Sequence, residues 1–284
     1  MKYKEFADLY DALFKTTKRL EKTRLIADFL PHLLGREEMV YLLRGRVFAE
    51  YDMREFGIST QLAIKAIAKS FGLSNEQVIE KFKKIGDLGD VAFEFATHQR
   101  QHALFARKLD DEQVLNSLRK LCKIEGAGTV NKKLDLIIEL LVSASPSEAK
   151  YLIRTLLGDL RVGVADAILL DAVVDAFFSD EKEEMAEKVR KAYDLITDFA
   201  LVLEMAFKGR KYFQNVPLVP GRPLNVMLPV KVADIKEAFR ICGKPVALEH
   251  KYDGFRVVIS SDGKGINLFT RRLENVTIQF PDVV

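Results

Sequence analysis

From Met1 to about Gly209, apolar positions recur at helical spacing. Tyr3, Phe6, Leu9/Tyr10 and Leu13/Phe14 form one stripe, and Leu25/Ile26, Phe29/Leu30 and Leu33 form another. Leu62, Ile64, Ile67/Ala68 and Phe71 mark a helix closed by Gly72, and Ser74 with Gln77 is a capping-box pair opening the next, through Ile85. Asp110 with Gln113 reads as a further start. Ser145-Pro146-x-Glu148 supplies an N-cap, a proline at the first helical position and an acid at the third. The pattern predicts one last long helix from about Glu181 to Phe207. The region contains no fixed-period repeat and no low-complexity tract.

The pattern then changes. Val216-Pro217-Leu218-Val219-Pro220-Gly221-Arg222-Pro223 cannot continue a helix, because its prolines lack the amide donor. A short helix is expected over Ala233–Phe239 and strands over about 246–252, 255–261 and 265–270. Ser261-Asp262-Gly263-Lys264 is suited to the turn between the last two. So few strands cannot cover both faces of a sheet, so the chain reads as ending inside its second domain. The expected architecture is multi-domain: an all-α domain over 1–209, then an incomplete α+β domain over 210–284.

Composition adds little direction. The 284 residues are 48% hydrophobic, and 44 basic against 41 acidic residues leave +3, so overall charge does not announce a nucleic-acid binder. Any such binding has to come from local patches and helix termini. Cys122 and Cys242 have neither metal-ligand nor redox spacing, which fits a reducing cytosol. The charged start resembles no signal peptide. The most apolar stretch, Val164 to Phe178, holds Asp166, Asp171 and Asp175, so no membrane span is expected. A Lys/Glu-rich chain without tryptophan points toward a thermophile.

Three glycine-containing junctions in the helical region are candidate phosphate contacts. They run over 85–90, over 125–133 with Gly126, Gly128, Thr129, Asn131, Lys132 and Lys133, and over 158–165 with Arg161 and Gly163. A helix N-terminus offers free backbone N–H groups and the positive end of its dipole, so it binds phosphate without a large net charge. The competing reading is that the glycines only end helices. Asp87 and Asp90 argue against side-chain contact at the first junction. His98 and His102 share a helical face but lack a third ligand, His32 reads as structural, and His250 is assigned no role.

The second candidate is Glu249-His250-Lys251-Tyr252-Asp253-Gly254-Phe255-Arg256, read as a strand tip, a tight reversal at Asp253-Gly254 and a second strand. A lysine there could enter a cleft and attack phosphorus once neutral, with Arg256 lending positive charge and Gly254 allowing φ > 0 at the reversal. The competing reading is a surface hairpin with an exposed lysine. Lys-x-Asp-Gly is the signature of covalent nucleotidyltransferases, namely DNA ligases, RNA ligases and mRNA capping enzymes.

The chain as a whole resembles the archaeal/eukaryotic-type ATP-dependent DNA ligases. Gly126-x-Gly128-Thr129, Lys132-Lys133-Leu134-Asp135, Glu148-Ala149-Lys150-Tyr151, Arg154 and Leu160-Arg161-Val162-Gly163 resemble that family's DNA-binding domain. Arg222-Pro223 and Met227-Leu228 resemble the entry to its adenylation domain. Glu249-x-Lys251-x-Asp253-Gly254-x-Arg256 and Thr270-Arg271-Arg272-x-Glu274-Asn275 are similar to its first nucleotidyltransferase motif and the segment after it.

The resemblance implies that Lys251 is the adenylated nucleophile and that Glu249 contacts the adenine end of ATP. It implies nucleotide contacts from Arg256 and Arg271, with Glu274 orienting Arg271. The glycine junctions and Arg161 would grip duplex backbone in the minor groove. Implied further are ATP and Mg²⁺ as cofactors (the metal's ligands lying past residue 284), nicked duplex DNA as partner, and a sliding clamp as a second. A monomer in the cytoplasm, associated with the nucleoid, is expected. The parent enzyme would seal nicks through lysyl-AMP, whereas this chain alone would lack competent chemistry. The rival readings are an RNA ligase or capping-type nucleotidyltransferase, which leaves the helical domain unexplained, and a non-catalytic helical DNA-binding or clamp-docking module.

Overall fold

The computed structural model describes residues 1–98, 109–126, 128–226 and 230–284. Helix α1 (Tyr3–Phe14) buries Tyr3, Phe6, Ala7, Leu9, Tyr10 and Leu13, which is the stripe read from the sequence. The Tyr10 hydroxyl donates to the Leu42 carbonyl, and the Tyr151 hydroxyl donates to Asp11. These buried rings therefore keep partners for their polar ends. α2 (Arg19–Phe29) passes into a 3-10 turn at Leu30–Leu33, and a second 3-10 stretch covers Glu37–Arg44.

α3 (Thr60–Ser70), α4 (Asn75–Ile85), α5 (Leu88–His98), α6 (Asp111–Lys123), α7 (Val130–Ser143), α8 (Pro146–Leu156) and α9 (Asp166–Phe177) follow. α5 packs on α8, α2 on α9 and α3 on α7 around one apolar core. α5 meets α8 tightly at Gly89, where an added Cβ would lie 2.8 Å from both the Lys150 carbonyl oxygen and Arg154 Cγ. Local start signals are met at Ser74 and Gln77, which exchange bonds as a capping box, and at Ser145, whose N–H donates to Glu148 at 2.7 Å.

The long helix expected over 181–207 is instead two. α10 (Lys182–Ile196) ends at Thr197, whose φ is 53°, and Asp198 then caps α11 (Phe199–Lys208) by accepting from Ala200 N–H. The break has tertiary partners. Thr197 Oγ1 donates to the Pro223 carbonyl at 3.0 Å, Tyr41 donates to Asp198 at 2.7 Å, and Asn225 is bonded through backbone and side chain to Asp194. Those bonds stabilise a conformation that periodicity alone could not anticipate.

The C-terminal part holds α12 (Ile235–Cys242) and a two-stranded antiparallel sheet of β1 (Val257–Ser261) and β2 (Ile266–Thr270). Their turn is the expected one: Asp262 accepts from the N–H groups of Lys264 and Gly265, both at 2.8 Å, and Gly263 has φ 80°. The strand expected over 246–252 does not form, and Gly254 stays outside the left-handed region. A strand needs a ladder partner and apolar cover. Among the described residues this segment has no ladder partner, and Leu248 is 89% exposed.

Candidate functional site

The junction leading into α7 turns at Gly126 (φ 101°) and Gly128 (φ 79°), and Thr129 Oγ1 donates to the Gly126 carbonyl at 2.8 Å. Asn131 and Lys132 are exposed in the first turn, where helix geometry leaves the backbone N–H groups without intrahelical acceptors. Lys133 turns away from that end. Its ammonium donates to the Phe56 carbonyl at 2.6 Å, bracing the loop before α3. Cys122 lies nearby, and burial pushes its thiol up to about 11, so it is a packing residue rather than a nucleophile.

The junction before α9 is braced in the same way. Lys22 on α2 donates to the Val162 and Gly163 carbonyls, and a Cβ on Gly163 (φ 63°) would lie 2.6 Å from that ammonium. Arg161 is exposed, yet its backbone is left-handed at φ 59°, which costs a residue with a Cβ about 1 kcal/mol or more. Its Nε donates to Asp159 at 2.6 Å and its Nη1 pairs with Asp87 at 2.8 Å. Hydrogen bonding to Asp159 raises the Arg161 pKa further, so the guanidinium is permanently charged.

The first junction has a different role from the one the sequence suggested. Gly86 (φ 79°) ends α4, and the N–H of Asp90 goes to Asp87 at 2.8 Å rather than outward. Both acids face α8. Arg154 Nε pairs with Asp87 at 3.3 Å and its Nη2 with Asp90 at 3.1 Å, while Lys150 pairs with Asp90 at 2.9 Å. Burial pushes the Asp87 carboxyl upward, but the Asp90 N–H and the Arg154 and Arg161 guanidinium groups together hold it below the usual carboxylate value. This network, missed from the sequence, carries a faint signature there: acids three apart opposite bases four apart on a largely apolar helix.

At the C-terminal candidate, every residue from Glu249 to Arg256 is exposed and outside regular structure, Lys251 included. Register brings two of the expected nucleotide contacts together. Val257 pairs with Thr270, so Arg256 and Arg271 flank the same end of the hairpin. The bonds of Glu274 among the described residues go to Thr270 rather than to Arg271. Its carboxylate accepts from the Thr270 hydroxyl at 3.1 Å, and its carbonyl accepts from Thr270 N–H, folding the segment after β2 back on the strand. Among the described residues no group of three or more His, Cys, Asp or Glu could hold a metal. His98 is exposed at the end of α5, while His102, Met227 and Leu228 lie outside the described residues. His32 bonds the Phe29 carbonyl, a structural role.

Two family models match the chain in order. The one described as DNA ligase N terminus covers residues 2–174, and the one described as ATP dependent DNA ligase domain covers residues 226–284. The chain belongs to the ATP-dependent DNA ligase family. Among curated relatives of this ligase-family chain, a DNA ligase of Nanoarchaeum equitans (strain Kin4-M) is 39% identical over 286 residues, covering 100% of this chain and 50% of the relative. A DNA ligase of Thermococcus fumicolans is 37% identical over 287 residues, again covering 100% of this chain and 50% of the relative. DNA ligase 1 of Methanosarcina mazei is 36% identical over 288 residues, with 100% and 48% covered. The ligase-family chain thus spans about half the length of the curated relatives it matches. No helix among its described residues is long and apolar enough to cross a membrane.

Proposed function

We propose that residues 1–209 are a DNA-binding domain that grips duplex backbone and residues 210–284 are part of an adenylation domain of a nick-sealing ATP-dependent DNA ligase. The observation that carries the reading is the order of the two family matches, with Lys251 of Lys-x-Asp-Gly inside the second. The α7 N-terminus, Asn131, Lys132 and Arg161 are the phosphate-facing donors, while the Thr129 hydroxyl is spent on the Gly126 carbonyl and holds the turn beneath them. Gly126, Gly128 and Gly163 supply the backbone turns that expose them, and Lys133 acts by holding the loop at Phe56.

The donor set fits ATP as substrate. Neutral Lys251 Nζ attacks the α-phosphorus, a P–N bond forms and pyrophosphate leaves with the bond electrons. A 5′-phosphate oxygen at the nick then takes the AMP and frees the lysine, and the 3′-hydroxyl attacks that activated phosphate and expels AMP. Glu249 can accept from the adenine amine, and Arg256 with Arg271 can face the phosphates. The family implies a divalent cation as well; the described residues offer it no ligand cluster, and no step is assigned to it.

The 284-residue chain itself does not seal nicks in this reading, because Lys251 stands exposed and no described residue is bonded to it to hold it for attack. Two measurements test the proposal. In protein extended to its relatives' full length, α-labelled ATP should leave covalent AMP that Lys251→Ala abolishes; persistent label would sink the nucleophile assignment. On the present chain, affinity for duplex DNA should fall linearly against salt on log–log axes and ignore sequence. Absence of binding at low salt would sink the grip.

A further inference from the structure

We infer that Asp87 and Asp159 are positioning residues that aim Arg161 at a DNA phosphate, an inference resting on the backbone-gripping reading above. A free arginine side chain samples many rotamers, and holding it in one geometry in advance lowers the entropy lost on binding. Here the guanidinium is clamped on two edges: Nε by Asp159 and Nη1 by Asp87. Nη2 donates no hydrogen bond among the described residues, so a donor edge remains for an incoming anion on an exposed side chain.

The clamp is itself anchored. Asp87 is buried and bonded to the Asp90 N–H and to Arg154, whose side chain is 3% exposed on α8. The left-handed backbone of Arg161 lies between Gly158 (φ 71°) and Gly163 (φ 63°), and the Lys22 bonds hold the second of these. Sequence alone suggests the opposite role, since carboxylates beside a phosphate contact repel the ligand. The two roles therefore differ in sign.

The test uses Asp159, which is exposed and bears on no core contact, so its replacement leaves the fold intact. Duplex affinity of the 284-residue chain is measured across a salt series for Asp159→Asn, Asp159→Glu, Arg161→Ala and the Asp159→Asn/Arg161→Ala double variant. Positioning requires Asp159→Asn to weaken binding by roughly threefold to tenfold, the scale of one imperfectly made charged contact. Asp159→Glu recovers most of the loss. In the double variant the Asn adds nothing further, because there is no arginine left to aim.

Tighter or unchanged binding by Asp159→Asn, with Arg161→Ala weakened, overturns the positioning role and leaves the grip standing. Loss on Asp159→Asn that persists in full without Arg161 overturns it as well. If Arg161→Ala binds as the parent does, the contact by Arg161 falls and the inference falls with it.

Discussion

Arg161 and Lys251 are the two residues on which the proposed activity leans most, and they sit in opposite surroundings. Around Arg161 the contacts interlock: Lys22 holds the loop carbonyls, Asp159 and Asp87 hold the guanidinium, and Arg154 holds Asp87. Around Lys251 the only ring contact among the described residues is Phe255 stacked on Phe280, and Glu249, Asp253 and Arg256 are as exposed as the lysine. In the proposed reading, the grip is preorganised by packed helices within this chain, whereas the proposed nucleophile is presented by local chain alone. Binding and chemistry should therefore respond differently to damage in the core.

The largest expected break is Arg154→Met. It strands Asp87 without its buried partner and should destabilise the helical region by about 3 kcal/mol, read as a lower midpoint in urea. Next comes Gly89→Ala, whose methyl would meet the Lys150 carbonyl at 2.8 Å. A cost of about 1–3 kcal/mol is expected, visible as a lower Tm by circular dichroism. Arg161→Ala should lower Tm only slightly, since Arg154 still pairs with Asp87, but weaken duplex binding by roughly tenfold at low salt, with the log–log salt slope smaller by about 1.

A finer probe is acid. The folded Asp87 carboxyl lies below its ordinary value of 3.8, so the unfolded chain takes up the proton first. Its contribution is present above that value and is lost as pH falls through the lower folded value. Asp87→Asn should flatten the acid limb of a stability–pH curve below about pH 4, and an unaltered limb would contradict the assignment. The smallest expected effect is that of Lys251→Ala on the present chain, within about 0.5 kcal/mol by urea unfolding. A larger change would mean that Lys251 is held after all.

Elements written in short stretches were legible from the residues. The α1 stripe, the Ser74–Gln77 box, the Ser145-Pro146-x-Glu148 start and the Asp262-Gly263 turn each depend on neighbours within a few positions. The unbroken helix expected over 181–207 failed because Thr197 and Asp198 answer to Pro223 and Tyr41, far away in the chain. The strand expected at 246–252 failed for the converse reason, since its β-forming residues find no ladder and no cover among the described residues. At the candidate site, the residue types were legible while their partners were not. Lys133 reads as a phosphate ligand and is a loop brace; Asp87 reads as an obstacle to phosphate and faces Arg154 and Arg161.

By itself, then, the sequence determined the helical character of the first 209 residues, the sheet hairpin, the lysine of Lys-x-Asp-Gly and the family, because periodicity, caps and motifs are properties of spacing. The tertiary structure decided which charged side chains remain available to a ligand. Availability depends on long-range pairing: Arg154 is buried against Asp87 and Asp90, while Arg161 keeps one edge open beside those same acids. Spacing along the chain carries no record of that difference.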